Sequence, residues 1–285
     1  MTNPTLAALI NLLDEPDENA FRVIRDQILL QGPDAIEPLE QLLDNTFNST
    51  LHERIRSIVR HLQQENLYLE FLNWLTIGSS DLLQGFILVA RTMYPSLDVK
   101  NTIISIEQMK MDVWIELNEN LTALENVKVL NHILFDIHHF DGNRKDMLAP
   151  GNNYINLMLE SRMGSPVSIG ILYLILGQKL GLPLYGVNLP QHFILAYLTE
   201  PGIENPDEDD VLFYINPFNR GSVFTRREIE LFTGQMKITP DKSFFTPCSN
   251  SDTIRRLISS LIFSYSKTGE SAKTEDLENL LNAFK

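Results

Sequence analysis

The chain has 285 residues, a formal net charge of -14 and a single cysteine. This length predicts a sizeable buried core with an attached helical module. No cluster of lysine and arginine interrupts the negative charge, which would repel a phosphate backbone, so we expect no direct nucleic-acid partner. One cysteine excludes an intrachain disulfide framework and a multi-cysteine metal site, which favours a reducing compartment, the cytoplasm.

Membrane insertion is not predicted. Residues 1–13 carry neither a basic region nor a long apolar run, so we expect no signal peptide or anchor. The apolar run at 169–176 is far shorter than the roughly 20 residues that a bilayer requires. We expect no membrane partner and no cofactor or metal.

Residues 1–95 predict short amphipathic helices separated by turns that contain glycine or proline. Thr50 and Glu53 form a capping-box pattern that starts a fourth helix, and a separate fifth helix is expected to end near Trp74. Stacked helix pairs of this kind resemble HEAT repeats. A plain helical bundle explains the same pattern equally well.

Proline at position 95 marks a domain boundary, because proline lacks an amide proton and disfavours helix at the preceding residue. We expect a helical repeat-like module at 1–95, a core domain at 96–245 and C-terminal helices at 246–285. The apolar spacing within the last segment predicts two helices that dock on the core.

The core domain begins with helices and ends with strands. A turn-rich polar loop at 138–156 precedes a helix at 165–180, and the acidic insert at 200–210 predicts a solvated loop rather than a metal site. Strands are predicted at 184–189, 192–198 and 211–216. The expected fold class is α+β, with a long buried helix packed on an antiparallel sheet.

The predicted helix at 165–180 is apolar on all sides, which is typical of a helix in the middle of a core. Ser165 is suited to cap its N-terminus and Pro166 to its first position. The free amides and the positive dipole end of that N-terminus favour a thiolate or an oxyanion. The start of this helix is therefore the place to look for chemistry.

The stretch 164–218 resembles the transglutaminase-like superfamily, whose pattern is Gly-x-Cys at the start of a long helix, then Leu-Gly-Ile-Pro, a strand that begins with His, and Asp-Pro on the next strand. Counted back from Leu-Gly-Leu-Pro at 180–183, Pro166 stands at the cysteine position. His192 stands at the histidine position and Asn216 at the aspartate position. The resemblance therefore implies a degenerate catalytic triad.

The closer resemblance is to the SirB-type branch of that superfamily. Its Phe-x-Gly-Asn, Asn-x-x-Leu and Gly-x-Pro-x-Ser elements are matched here, followed by His-Phe at 192–193 and Asn-Pro-Phe at 216–218; the matching residues are Phe140, Gly142, Asn143, Asn156, Leu159, Gly164, Pro166 and Ser168. Proteins of this type are described as regulators of gene expression. With this net charge, we expect any such effect to act through a protein partner.

Without the cysteine the chain lacks the thiolate that this chemistry requires, and Cys248 lies outside the motif. The leading hypothesis is therefore a non-catalytic protein-binding or regulatory scaffold. A residual hydrolase or acyltransferase that uses Ser165 or Ser168 with His192 and Asn216 is the enzyme alternative.

A small-ligand sensor is the third hypothesis. In that case Asn143, Asn152 and Asn156 line a polar cleft together with His192 and bind a ligand without reacting with it.

Overall fold

The computed structural model describes residues 4–190, 192–200, 202, 206–239, 241–270 and 273–284. The chain divides into two compact units, Met1–Asn73 and Trp74–Lys285. The domain boundaries expected at 95 and 245 remain predictions, and the acidic loop expected at 200–210 lies partly outside the described residues.

The first unit is helical. Its helices are α1 (Pro4–Ile10), α2 (Glu18–Leu29), α3 (Ile36–Asp44) and α4 (Ser49–Thr76), the last of which continues into the second unit. Buried apolar side chains from all four helices and from the turn after α1 form its core; they include Leu6, Leu13, Phe21, Ile28, Leu39, Ile55, Ile58 and Leu62. The HEAT-like repeat and the plain bundle both stay predictions.

The prediction of two separate helices between Thr50 and Trp74 is wrong, because α4 is continuous across this range. The sequence from 49 to 76 contains neither glycine nor proline, so nothing in it interrupts the helix. The predicted cap is also displaced. The side-chain oxygen of Asn48 accepts hydrogen bonds from the backbone N–H groups of Thr50 at 3.0 Å and Leu51 at 3.3 Å.

The second unit combines helices with two small sheets. Its helices are α5 (Leu82–Arg91), α6 (Val99–Glu116), α7 (Ala123–Asn131), α8 (Ile155–Ser161), α9 (Pro166–Lys179), α10 (Arg226–Gln235), α11 (Asn250–Thr268) and α12 (Glu275–Asn282). A π-helical turn, His132–Ile137, extends α7. The capping box predicted for Thr122 and Glu125 is present at the start of α7.

The larger sheet is an antiparallel meander. Its strands β3 (Leu184–Leu189), β4 (His192–Leu198), β5 (Val211–Asn216) and β6 (Ser222–Phe224) pair in chain order. The three strands predicted from the sequence match β3, β4 and β5. A separate parallel pair joins β1 (Asp141–Gly142), which lies inside the loop expected at 138–156, to β2 (Met163–Gly164), which lies after that loop.

Helix α9 packs against one face of the larger sheet. A Cβ atom on Gly170 would lie 2.6 Å from the Phe193 ring, and a Cβ atom on Gly177 would lie 2.5 Å from Leu184. These two glycines let the helix approach β4 and β3 closely. The N-terminal end of α9 therefore lies beside the start of β4.

The opposite face of the sheet packs against α10 and the segment around Phe245. The buried side chains of this layer include Val187, Ile194, Ala196 and Tyr214 from the sheet and Ile229 from α10. Strand alternation thus directs even-numbered residues of β4 away from α9.

The C-terminal helices belong to the core, as predicted. On α11 the residues Ile254, Leu257, Ile258 and Leu261 are each 0% exposed, and Leu277 of α12 is 1% exposed. No helix in the described part of the chain is both long and apolar enough to cross a bilayer. The α+β fold class, with a sheet core and C-terminal helices, is confirmed.

Candidate functional site

Two serines close the N-terminus of α9 with a capping box. The Ser165 hydroxyl accepts a hydrogen bond from the Ser168 backbone N–H at 3.1 Å, and the Ser168 hydroxyl accepts one from the Ser165 N–H at 2.9 Å. Each hydroxyl also donates: Ser165 to the Asn153 side-chain oxygen at 2.6 Å, and Ser168 to the Asn152 carbonyl at 2.6 Å. Both serines are buried, and both hydroxyls serve structural contacts.

The polar loop before α9 is held by its own asparagines. The Asn143 side-chain N–H donates to the Asn152 side-chain oxygen at 3.0 Å, and the Asn152 side-chain N–H donates to the Asp146 carbonyl at 2.7 Å. Asn156 lies on α8, and its side-chain oxygen is buried without a hydrogen-bond partner among the described residues. The structure thus joins Asn143 and Asn152 to the start of α9 by hydrogen bonds, and it shows no such bond for Asn156 among the described residues.

Several residues of the sequence motifs serve close packing around this loop. A Cβ atom on Gly142 would lie 2.4 Å from the Phe218 ring, and a Cβ atom on Gly164 would lie 2.7 Å from the Ser168 hydroxyl. The Asn143 backbone N–H donates to the Gly164 carbonyl at 2.9 Å. These motif glycines are therefore required because backbone and side chains approach one another without room for a larger residue.

His192 lies at the start of β4, on the sheet face that packs against α10. Its ring contacts Phe232 edge-on, with 5.0 Å between the ring centroids. Partial burial, and then the positive charge of Arg256, lower the pKa of His192 below its usual range. No hydrogen bond among the described residues links this ring to Ser165 or Ser168.

Asn216 ends β5 and caps the turn that follows. Its side-chain oxygen accepts a hydrogen bond from the Asn219 N–H at 3.2 Å. Leu195 of β4 pairs with Ile215 of β5, and this register places the next residue, Asn216, near the His192 end of β4. Within the described chain, no hydrogen bond joins the two side chains, so Asn216 does not orient the His192 ring.

Cys248 lies in the loop just before α11. It is beside β3 rather than at the start of α9. Its backbone N–H donates to the Gly186 carbonyl at 2.8 Å, and its thiol lies 3.5 Å from the Thr253 hydroxyl. Burial raises the pKa of the Cys248 thiol to about 11. The thiol is therefore protonated at neutral pH and is a poor nucleophile.

Three polar residues that the sequence analysis did not select have buried or half-buried groups in the second unit, and one of them, Asn153, bonds Ser165 at the start of α9. They are Asn153, Asn188 and Arg256. Asn153 is next to Asn152 in the polar loop at 138–156, so its place in the sequence could have identified it as a candidate site residue. Arg256 follows Arg255 on α11, and the sequence alone does not say which of the two points inward.

The groups at the start of α9 take part in structural contacts. Proline occupies the first position of α9, the neighbouring hydroxyls serve a capping box, and the imidazole lacks a hydrogen-bonded nucleophile in the described structure. No group of three or more His, Cys, Asp or Glu side chains that could hold a metal ion occurs among the residues described.

Comparison with known proteins adds a family to this geometry. Residues 100–259 match the family model described as the transglutaminase-like superfamily. The chain is 37% identical over 106 residues to F-box only protein 21 from Homo sapiens, which is 37% of this chain and 17% of that protein. It is 28% identical over 153 residues to a UPF0162 protein from Xylella fastidiosa, covering 52% of this chain and 50% of that protein.

A third relative is the UPF0162 protein YchA from Escherichia coli, 26% identical over 191 residues, which is 65% of this chain and 66% of YchA. The matches thus span about half of the Xylella protein and about a sixth of F-box only protein 21, at 50% and 17%. No solved structure matches this chain.

Proposed function

This chain belongs to the transglutaminase-like superfamily, and we propose that it is a non-catalytic member that acts by binding a protein partner. We place it in the SirB-type branch, with Pro166 at the position of the catalytic cysteine. The observation that carries the proposal is the closed capping box at the start of α9, where both serine hydroxyls are buried and hydrogen-bonded.

Loss of catalysis follows from the nucleophile. Papain-like chemistry needs a thiolate or an activated hydroxyl beside an imidazole that a third group orients. The side chain of Pro166 has no such group, and the Ser168 hydroxyl already donates to the Asn152 carbonyl. Strand alternation turns His192 toward Phe232, on the sheet face opposite α9.

Exposed apolar side chains on α6 support protein binding. Ile104, Trp114 and Ile115 are 62%, 60% and 71% exposed, while Ile106 and Val113 of the same helix are fully buried. Large apolar side chains grouped on one exposed surface are typical of interaction sites, and tryptophan is enriched in them. We propose that this surface serves a protein partner in the cytoplasm, and that any regulatory effect is exerted through that partner.

Turnover assays test the non-catalytic part of the proposal. The purified chain is incubated with amide and ester substrates and with a serine-directed fluorophosphonate probe. We expect no turnover above buffer and no labelled serine. Turnover that disappears in both Ser165→Ala and His192→Ala would refute the proposal and would support the serine hydrolase instead.

A crosslinking comparison tests the binding part. A photoreactive side chain at Ile115 is expected to crosslink one defined protein in cell extract, whereas the same group at exposed Ser259 on α11 gives none. The crosslink should survive His192→Ala and disappear when Trp114 and Ile104 are changed to serine. Equal crosslinking from both positions would contradict a binding surface on α6.

A further inference from the structure

Polar groups without partners converge at the N-terminal end of α9. The side-chain N–H₂ of Asn153 and the side-chain oxygen of Asn188 are both buried without a hydrogen-bond partner among the described residues. Arg256 is half-buried, and the described residues provide neither a hydrogen bond nor a carboxylate within 4.0 Å for its guanidinium group. Buried groups of this kind cost free energy unless a ligand or water satisfies them.

The unmet hydrogen bond at Asn153 does not depend on how its amide is oriented. Its side-chain oxygen accepts from Ser165 at 2.6 Å and lies 3.5 Å from the Ser260 hydroxyl. If the amide were rotated, the N–H₂ would face these hydroxyls and the oxygen would be the unpaired atom. In either case one polar end of a side chain that is only 1% exposed has no partner in the described chain.

Helix geometry directs Arg256 toward the same corner. One turn before it, Thr253 lies next to β3, because a Cβ atom on Gly186 would be 3.0 Å from the Thr253 hydroxyl. One turn after it, Ser260 reaches Asn153. Residues three and four apart share a helix face, so Arg256 faces the gap between β3 and the loop that carries Asn153.

Asn188 borders this gap from the sheet. Its register opposite Phe193 places it on the α9 face, two residues beyond Gly186. Because Phe193 packs against Gly170 in the N-terminal half of α9, Asn188 lies toward the same end of that helix as Asn153. The lowered pKa of His192 includes a contribution from Arg256, which agrees with a guanidinium close to the His192 end of the sheet.

We propose that Arg256, Asn153 and Asn188 form a binding site for the carboxylate of an N-acyl amino acid, the chemistry of a peptide C-terminus. The guanidinium and the Asn153 N–H₂ donate to the two carboxylate oxygens. The Asn188 oxygen accepts from the acylated N–H of the same amino acid. This inference rests on the proposed function, since the ligand is held without being cleaved.

The charges favour a carboxylate over a phosphate. Arg256 is the only cation among the three residues, and burial lowers the pKa of its guanidinium. A monoanion is matched by one guanidinium, whereas a phosphate dianion would leave excess negative charge in a half-buried site of a chain with net charge -14. A bidentate pair between guanidinium and carboxylate also has the geometry that arginine provides best.

An NMR titration with the full chain tests the site. N-acetylglycine is the probe, and N-acetylglycinamide, which lacks the negative charge, is its neutral counterpart. We expect saturable shifts of the Asn153 and Asn188 side-chain amides with N-acetylglycine and at least tenfold weaker effects with N-acetylglycinamide. Arg256→Gln should weaken N-acetylglycine binding at least tenfold, and Arg256→Lys should restore part of the affinity.

Arg255→Gln is the matched control, because Arg255 is the exposed neighbour on α11 and pairs with Asp252 at 2.8 Å. This variant should bind N-acetylglycine like the parent chain. Equal binding by the parent, Arg256→Gln and Arg255→Gln chains would overturn the site, as would equal binding of the two probes. Folding of each variant is checked by its amide spectrum, and Arg256→Lys provides the test if Arg256→Gln unfolds.

The same samples separate this inference from the proposed function and distinguish two ligand sources. Hydrolysis of N-acetylglycinamide would appear as N-acetylglycine signals, and it would refute the non-catalytic proposal rather than the carboxylate site. An acetylated tetrapeptide that ends in glycine tests the source. Tighter binding than N-acetylglycine indicates a peptide C-terminus, and equal binding indicates a free N-acyl amino acid; either result supports the site.

Discussion

Replacing Ser168 by alanine should destabilise the second unit, because the hydroxyl is a structural group. Ser168 is 0% exposed, and its hydroxyl donates to the Asn152 carbonyl at 2.6 Å and accepts from the Ser165 N–H at 2.9 Å. Removal of one partner of a buried hydrogen bond costs about 1–3 kcal/mol. Because the Ser165 N–H and the Asn152 carbonyl also bond each other, at 3.2 Å, we expect a loss of about 2 kcal/mol.

Urea unfolding monitored by tryptophan fluorescence measures this loss in the correct part of the chain. The two tryptophans, Trp74 and Trp114, both belong to the second unit. Ser259→Ala is the control, since its exposed hydroxyl bonds, among the described residues, only the Arg255 carbonyl, at 2.9 Å, and its change should stay within about 0.5 kcal/mol.

The reasoning would be refuted if Ser168→Ala lost no more stability than Ser259→Ala. Such a result would mean that the Ser168 hydroxyl is not committed to the capping box, and that it is available for another role. A stability loss without any change in ligand binding or turnover agrees with the structural role.

Three further predictions concern the motif packing, the imidazole and the thiol. Gly142→Ala should destabilise the second unit by about 1–3 kcal/mol in urea unfolding, because its Cβ would lie 2.4 Å from the Phe218 ring. Arg256→Gln should raise the pKa of His192, measured by NMR titration of the ring, because a positive charge that lowers it is removed. Cys248, with a pKa of about 11, should react slowly with iodoacetamide at pH 8 and much faster once the chain is unfolded in urea.

Each of these predictions has a contrary outcome. A second change, Phe218→Leu, should recover part of the stability lost in Gly142→Ala, and no recovery would place the strain elsewhere. A His192 pKa that is unchanged or lowered in Arg256→Gln would mean that the guanidinium is not close to the ring. Equal alkylation rates for native and unfolded chain would show that Cys248 is not protected by burial.

The local elements of the core could be predicted from the sequence because each has its own pattern. The apolar segment bounded by Ser165 and the turn at 180–183 indicates a buried helix, and α9 runs from Pro166 to Lys179. Alternation and turn signals likewise locate β3, β4 and β5. The sequence predicts the bounds of a helix less well where neither glycine nor proline interrupts it, as in the long helix α4.

The roles of the polar residues could not be predicted in the same way. Motif spacing placed Ser165, His192 and Asn216 near one end of a helix and a sheet, but it did not show which face each side chain occupies. In the structure His192 contacts Phe232, and Asn216 caps a turn. A strand directs alternate side chains to opposite faces, so proximity of two backbones does not bring two side chains together.

The sequence by itself determined α9, the strands β3, β4 and β5 and the absence of cysteine from the helix start, because these depend on local pattern and composition. Only the tertiary structure decided that the serine hydroxyls are hydrogen-bonded in a capping box, that Ser260 of α11 reaches Asn153, and that Asn188 lies opposite Phe193 in the sheet. The positions of these side chains depend on how α11, β3 and the loop before α9 pack in three dimensions. Packing joins residues far apart in the chain, which no local periodicity records.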